Sequence, residues 1–146
     1  ALLTGVPTGN LREVLERVAD TDGLIAVTPV FAASYSGLFK TFFDVLDPDS
    51  LTGTPVLAAA TGGTPRHSLV LDHALRPLFA HLRSITVPTG VYASSEDWAG
   101  GGERALDDRI GRAADELAAL VGDRSPKRRT DPYDDPTPFE ELLSDL

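Results

Sequence analysis

The sequence predicts an α/β domain built on a doubly wound parallel sheet. Short apolar segments of strand length alternate along the chain with segments of helical periodicity. The apolar segments begin about 30 residues apart, which is the size of one strand–helix–strand unit. A length of 146 residues and a hydrophobic content of 42% suit one such domain with a single core.

The first predicted elements are a helix and a buried strand. The apolar positions of the helix recur at helical spacing, namely Leu11, Val14, Leu15 and Val18. Thr8 or Asn10 is the expected cap at its start. Residues 24–28 follow as a short segment without polar alternation, which predicts a strand buried on both faces, as in a parallel sheet.

A second helix and a second strand repeat the pattern. Ser34 is the expected cap of the helix, and Asp47-Pro48 ends it because a residue before proline disfavours the helical conformation. The apolar face of this helix comprises Tyr35, Leu38, Phe39, Phe42, Phe43 and Leu46. Residues 55–60 then predict a second buried strand.

The third predicted helix, from about residue 66 to residue 82, contains an internal proline. Pro77 has no amide hydrogen, so the carbonyl of His73 loses its usual hydrogen-bond donor. The helix is therefore expected to change direction there. A plain kink is the favoured interpretation, and a π-bulge that contains His73 is the alternative.

The third predicted strand, at 85–92, contains Pro88 and is expected at an edge of the sheet, because proline cannot donate to the ladder. A last helix ends at Gly122, and its expected buried residues are Leu106, Ile110, Ala113, Leu117 and Val121. The composition changes after this helix. We therefore predict a domain over 1–123 and a proline-rich charged tail over 124–146, which is equally compatible with disorder and with packing of its last apolar residues.

Composition and charge exclude several classes of function. The net charge is −9, which gives a nucleic-acid partner no electrostatic support. The chain has no cysteine, which excludes disulfides, thiolate chemistry and cysteine-ligated zinc. No apolar run approaches the roughly 18 residues that span a bilayer, and the first residues show no secretory signal pattern. We therefore expect no membrane partner and a cytoplasmic location.

Common catalytic and metal-binding motifs do not match the sequence. The glycine run at 100–102 lacks the lysine of a phosphate-binding P-loop. Ser36 and Ser68 lie outside a G-x-S-x-G pattern. The spacing of His67, His73 and His81 does not give the i, i+4 pair of a zinc protease. The sequence therefore assigns no catalytic residue and no metal site.

Two segments that follow predicted strands form the candidate binding site, because ligands in open α/β sheets bind at the carboxyl ends of strands. The first is 28–37, where Pro29 stiffens the strand exit and a helix N-terminus offers amide donors. The second is 61–65, where Gly62-Gly63 permits positive φ and close approach to a flat ligand. Together they predict main-chain donors for an aromatic ring system, although each alone is better explained as an ordinary turn. The expected apolar walls are Val30 and Phe31.

Four parts of the chain carry a resemblance to a known family. They read AVTPVF at 26–31 with SYSGLFK at 34–40, ATGGT at 60–64, LDHALRP at 71–77, and GVYA at 90–93. In this order they resemble the NAD(P)H-dependent FMN reductase family, a branch of the flavodoxin-like fold. The closest likeness is to the reductases that supply reduced FMN to alkanesulfonate-type monooxygenases.

The resemblance implies FMN and NAD(P)H as cofactors and assigns FMN contacts to nine residues. Those that flank the flavin ring and ribityl chain are Thr28, Pro29, Val30, Phe31, Tyr35 and Ser36. Those at the isoalloxazine edge are Thr61, Gly62 and Gly63. Phe31 stands where the family usually has tyrosine, which removes a hydroxyl and keeps the aromatic surface. His73 falls where some members carry an inserted residue in a π-helix near a subunit interface.

One part of this family has no counterpart in the sequence. The family's phosphate-binding loop is a Ser/Thr-rich turn after the first strand, and a flavin phosphate is normally met by amides at a helix N-terminus. A flavodoxin-like strand order of 2-1-3-4-5 would also place two further strands ahead of the three predicted. The N-terminal strands and the phosphate loop are therefore expected to be absent, which would weaken FMN binding.

The resemblance implies an enzyme that passes a hydride from NAD(P)H to FMN. Reduced FMN would then leave for a partner monooxygenase, and the enzyme would be a homodimer or homotetramer. Such chemistry belongs to the two cofactors. One alternative retains FMN and reduces quinones or azo dyes. Another is a non-catalytic flavodoxin-like interaction subunit, for which the missing phosphate loop is the sequence feature.

Overall fold

The computed structural model describes residues 9–99 and 102–122. The α-helices are α1 (Asn10–Ala19), α2 (Gly37–Asp44), α3 (Arg76–His81), α4 (Glu96–Ala99) and α5 (Glu103–Gly122). The strands are β1 (Leu24–Phe31), β2 (Ser34–Tyr35), β3 (Pro55–Gly62), β4 (Ile85–Thr86) and β5 (Val91–Ser94). A 3-10 turn (Pro65–His67) and a π-helix (Leu71–Leu75) precede α3. The predicted alternation of strands and helices is confirmed.

The strands form one sheet in the order β2-β1-β3-β4, with β5 also paired to β3. β1 runs parallel to β3, from the Leu24–Val56 pair to the Pro29–Thr61 pair. β4 pairs with the start of β3 and β5 with its end, and both are parallel to it. β2 pairs antiparallel with the end of β1 as a hairpin. The parallel core of the sheet confirms the predicted doubly wound architecture.

The predicted third strand is divided into β4 and β5 around Pro88. Among the described strands, both pieces pair only with β3, so the expected edge position is confirmed. The division has the same cause as the edge position, because proline cannot donate a ladder hydrogen bond.

β3 and β1 differ in how their faces are covered. The first six residues of β3 are buried, as predicted for a strand in a parallel sheet. On β1, however, Ile25 is 60% exposed and Val27 is 56% exposed. The prediction that β1 is buried on both faces is therefore wrong. Their partners in register, Leu57 and Ala59, are buried in a cluster with α5, so the described helices cover this face at β3 and leave it open at β1.

Two hydrophobic clusters lie on the two faces of β3. Val56, Ala58 and Ala60 belong to the larger one, which contains buried residues of α1 and α3 and an aromatic group. In that group the Phe43 ring lies 5.3 Å from the Phe79 ring, centroid to centroid. The smaller cluster joins the opposite face of β3 to α5. β3 is thus the shared centre of the molecule.

The starts of α1 and α2 differ from the predicted caps. Gly9 precedes α1 without a side-chain cap, Asn10 is its first residue, and Thr8 lies outside the described residues. At α2 the cap is Ser36, whose hydroxyl accepts a hydrogen bond from the amide of Phe39 at 3.1 Å. The predicted cap, Ser34, belongs to β2 instead.

The predicted third helix is a 3-10 turn, a π-helix and α3 in succession. The π-helix contains His73, and the amide of Arg76 donates to the carbonyl of Leu71, five residues earlier. The favoured plain kink was therefore wrong, and the π-bulge alternative is what the chain adopts. Pro77, which cannot donate to His73, lies directly after the widened turn.

The last helix, α5, ends at Gly122 as predicted. Leu106 and Ala113 are buried, whereas Ile110 is on the exposed side, which corrects its predicted burial. The boundary at 123 and the tail at 124–146 lie outside the described residues. Within residues 9–99 and 102–122, no helix combines the length and apolar character needed to span a membrane, and no group of three metal-ligating side chains is present.

Candidate functional site

A cavity of about 410 Å³ lies where the carboxyl ends of β1, β3 and β5 meet. Its lining residues are Pro29, Val30, Phe31, Thr61, Gly62, Gly63, Ala93, Ser94, Ser95 and Trp98. None of these side chains carries a charge. The cavity therefore offers apolar surface, hydroxyls and main-chain groups, which suit a flat polar ring better than an ionic group.

The β1 side of the cavity is a hairpin rather than the predicted loop. Ala32 and Ala33 have φ of 48° and 63°, a two-residue turn that returns β1 into β2. Thr28 fixes the base of the hairpin, because its hydroxyl accepts from the amide of Ser36 at 3.0 Å and donates to the carbonyl of Pro29 at 2.9 Å. The hairpin leaves Phe31 63% exposed beside the cavity.

The β3 side of the cavity is the turn at Gly62 and Gly63. Positive φ occurs among the described glycines only at Gly9 and Gly53, so neither Gly62 nor Gly63 uses the positive φ that glycine permits. Gly62 is required for a different reason. A Cβ there would lie 2.1 Å from the hydroxyl oxygen of Tyr92, whereas a Cβ at Gly63 would meet nothing within 4 Å.

Two hydroxyls from the end of β5 hold this turn. The Tyr92 hydroxyl donates to the carbonyl of Thr64 at 2.6 Å, and the Ser95 hydroxyl donates to the carbonyl of Gly63 at 2.6 Å. Burial raises the pKa of Tyr92, and the nearby Asp97 carboxylate raises it further. Tyr92 therefore stays protonated and remains a donor at neutral pH.

Asp97 ties the end of β5 to α4. Its carboxylate accepts from the amide of Ser94 at 2.7 Å and from the Ser94 hydroxyl at 2.8 Å. These hydrogen bonds lower the pKa of Asp97, and the charge of Arg109 lowers it further. The link places α4 so that Trp98 lines the cavity, although the indole is 64% exposed.

The structure brings together six of the nine residues predicted to bind FMN, namely Pro29, Val30, Phe31, Thr61, Gly62 and Gly63. Thr28, Tyr35 and Ser36 do not line the cavity. Thr28 is fully buried, Ser36 caps α2, and the Tyr35 ring stacks on Phe39 at 6.0 Å between centroids. Contact of these three with FMN stays a prediction.

The predicted site did not include four cavity residues that follow the predicted third strand: Ala93, Ser94, Ser95 and Trp98. The same strand-end rule that selected the other two segments applies to this one. The turn signal in this segment is weak, because no glycine or proline directly follows Tyr92 at the end of the predicted strand. Trp98 is the single tryptophan of the chain, which is the one compositional signal that pointed there.

The sequence matches the family model described as NADPH-dependent FMN reductase over residues 4–99. The chain belongs to this family. The predicted resemblance to FMN reductases is confirmed.

Individual FMN reductases show the extent of the likeness. The chain is 49% identical over 117 residues to an FMN reductase (NADPH) from Pseudomonas aeruginosa, covering 79% of this chain and 63% of that protein. It is 47% identical to the NADH-dependent FMN reductase SfnF from Pseudomonas fluorescens, covering 74% of this chain and 59% of that protein. The chain therefore spans about three fifths of the length of these curated relatives.

A solved structure confirms the flavodoxin-like fold class. An oxidoreductase from Corynebacterium diphtheriae superposes with a TM-score of 0.81 at 52% sequence identity. The alignment covers 85% of this chain and 70% of that one.

Proposed function

We propose that this protein is an NAD(P)H-dependent FMN reductase. The observation that carries the proposal is the uncharged cavity at which the Pro29 and Gly62 ends of two parallel strands meet. Ligands of open α/β sheets bind at such strand ends. Membership of the FMN reductase family supports the flavin as the ring ligand.

The lining residues fit the ring part of FMN. The hydroxyl of Thr61 and the main chain of the glycine turn offer hydrogen bonds to its polar edge, while Phe31 and Trp98 offer aromatic surface. The lining has no charged group to bind the phosphate. The proposal therefore assigns ring binding, and not phosphate binding, to these residues.

The role of this chain in the reaction is to bind and orient the reacting rings. FMN supplies the chemistry when bound, because it accepts a hydride from the nicotinamide. None of the ten lining residues has a carboxyl, imidazole, lysine or thiol group. We therefore assign no general acid or base, and the rate advantage comes from holding the two rings in contact and in the correct orientation.

We further propose that FMN is exchanged as a substrate and that reduced FMN leaves for a flavin-dependent monooxygenase. The exposure of Phe31 and Trp98, both above 60%, supports this view because ring surface at the cavity stays open to solvent. We also propose that the protein forms a homo-oligomer and is located in the cytoplasm, where nicotinamide nucleotides are available as reductants.

Steady-state oxidation of NADPH and NADH at increasing FMN concentration tests the reductase. We expect saturable, FMN-dependent oxidation well above that of a protein-free mixture. No FMN-dependent oxidation with either nucleotide would reject the proposal. Flavin that copurifies tightly, with turnover of a quinone but little reduction of added FMN, would instead support a reductase that retains its flavin.

A further inference from the structure

We propose that Tyr92 and Ser95 are positioning residues for flavin binding, because their hydroxyls fix the Gly62–Thr64 turn in the conformation that borders the cavity. This inference rests on the proposed function, since it names what holds one wall of the proposed FMN site. Neither residue is assigned a step in hydride transfer.

The two hydroxyls act on consecutive carbonyls of one turn. Ser95 donates to Gly63 at 2.6 Å, and Tyr92 donates to Thr64 at the same distance. A peptide group is planar, and its C=O and N–H point in opposite directions. The bond from Ser95 therefore also turns the N–H of Thr64 away from Ser95.

The hydroxyls of Tyr92 and Ser95 together orient one main-chain donor, the N–H of Thr64. Within residues 9–99 and 102–122, the N–H of Thr64 has no hydrogen-bond partner. The peptide group whose carbonyl accepts from Tyr92 has no N–H, because its nitrogen belongs to Pro65. The free N–H of Thr64 is thus fixed in direction, and it belongs to the same peptide group as the carbonyl of Gly63, a residue that lines the cavity.

Close packing makes the Tyr92 contact possible. Tyr92 is only 5% exposed, and its hydroxyl reaches the turn over Gly62, where no side chain fits. A longer or mobile side chain would hold the turn less firmly, because more rotamer freedom would be lost on making the bond. The turn is therefore fixed by two hydroxyls, one from the buried Tyr92 side chain and one from Ser95.

Hydroxyl deletions test the inference in the intact protein. Replacement of the Tyr92 hydroxyl in Tyr92→Phe, or of the Ser95 hydroxyl in Ser95→Ala, is expected to weaken FMN binding by about two- to tenfold, the worth of one hydrogen bond. In Tyr92→Phe/Ser95→Ala the loss is expected to be smaller than the product of the single losses, because either deletion alone frees the shared turn. Ser95→Thr, which keeps a hydroxyl, should recover the FMN affinity that is lost in Ser95→Ala.

A spectroscopic readout and a control variant separate positioning from a general loss of stability. The absorption band of bound flavin should shift in both single variants, since the contacts at the ring edge change. Ser84→Ala is the matched control, because it removes a serine bond of 2.7 Å to the carbonyl of Phe79, outside the cavity lining. The control should leave FMN affinity and the absorption band unchanged.

A measurement without flavin keeps this inference distinct from the proposed function. In isotope-labelled protein, the amide resonances of Gly63 and Thr64 should be single and sharp, and should broaden or split in Tyr92→Phe and Ser95→Ala. Unchanged resonances in both variants would overturn the inference, as would unchanged FMN affinity. If the wild-type protein binds no FMN, the proposed function fails, and the resonances alone decide whether the hydroxyls fix the turn.

Discussion

Gly62 and Gly63 are neighbours, but their surroundings allow different substitutions. Gly62→Ala would place a methyl group 2.1 Å from the Tyr92 hydroxyl oxygen, so the turn or the tyrosine must move. We expect a loss of about 1–3 kcal/mol in the free energy of unfolding, the usual cost of overpacking. Gly63→Ala, with open space and no positive φ, should be close to neutral. Urea denaturation measures both.

A second substitution checks the cause of that loss. Gly62→Ala/Tyr92→Phe removes the oxygen atom that the new methyl group meets, so it should recover part of the stability lost in Gly62→Ala. Equal stability of Gly62→Ala and Gly63→Ala would contradict the explanation by close approach.

Trp98 provides both a proposed ring contact and a reporter. It is the single tryptophan of the chain, and it lines the cavity. We expect FMN to quench its fluorescence, and Trp98→Ala to weaken FMN binding by about two- to tenfold, which corresponds to one aromatic pair. Trp98→Phe should retain most of the affinity because it keeps an aromatic face.

The matched control for Trp98 is Leu38→Ala. Leu38 is 70% exposed, similar to Trp98, and is not among the residues that line the cavity. Its replacement should not change FMN affinity in a fluorescence-independent binding assay such as flavin absorption. Equal affinity of Trp98→Ala and the wild-type protein would remove Trp98 from the proposed site.

At the scale of elements, the junction between β5 and α4 depends on the charge of Asp97. Because hydrogen bonds from Ser94 hold the folded-state pKa of Asp97 below its ordinary value of 3.8, the carboxylate stabilises the folded state fully above that value. The stabilisation is lost as the pH falls through the lower folded-state pKa. Asp97→Asn should therefore unfold at lower urea concentration than the wild-type protein at neutral pH, and the difference should shrink in acid.

Asp108→Asn is the control for this pH dependence. Asp108 is an exposed carboxylate on α5, and within residues 9–99 and 102–122 no residue donates two hydrogen bonds to it as Ser94 does to Asp97. Its replacement should shift the urea midpoint little at either pH. If the difference between Asp97→Asn and the wild-type protein were the same at neutral and acid pH, the charge of Asp97 would not be the cause.

Elements with long local patterns were predictable from the sequence, and those fixed by tertiary contacts were not. Periodicity gave α1 and α5, and continuous apolar segments gave β1 and β3. The hairpin between β1 and β2 turns on two alanines, which carry no turn signal, and α4 has only four residues. Burial of β1 was overestimated, because an apolar segment does not reveal which of its faces a helix covers.

The candidate site was predictable as far as strand ends determine it. The parallel pairing of β1 with β3 ends at Pro29 and Thr61, the neighbour of Gly62, so the topology alone brings Pro29 and Gly62 together. The contribution of Tyr92 was not predictable, because its hydroxyl reaches Thr64 across 28 positions of sequence. The π-helix was predictable only in part. Pro77 indicated a disturbed helix, but the choice between a kink and a π-helix depends on how the segment packs on the sheet.

At the scale of the whole molecule, β3 couples the two hydrophobic clusters to the site. Alternate residues of β3 enter the two clusters, and its last residue begins the glycine turn of the cavity. Disruption of either cluster therefore displaces the strand that carries the turn. We expect the described region to unfold as one cooperative unit, as single domains of this size usually do.

Phe79→Ala tests this cooperativity. Phe79 is fully buried, and its ring packs edge-on against Phe43 in the larger cluster. Its truncation should lower the free energy of unfolding by about 3–5 kcal/mol, the usual cost of a large cavity in a core. Because β3 joins the cluster to the site, the fluorescence of Trp98 and the far-ultraviolet circular dichroism should shift to the same lower urea midpoint, while Leu38→Ala shifts neither. Separate midpoints for the two signals would show that the strand ends around the cavity unfold independently of the core.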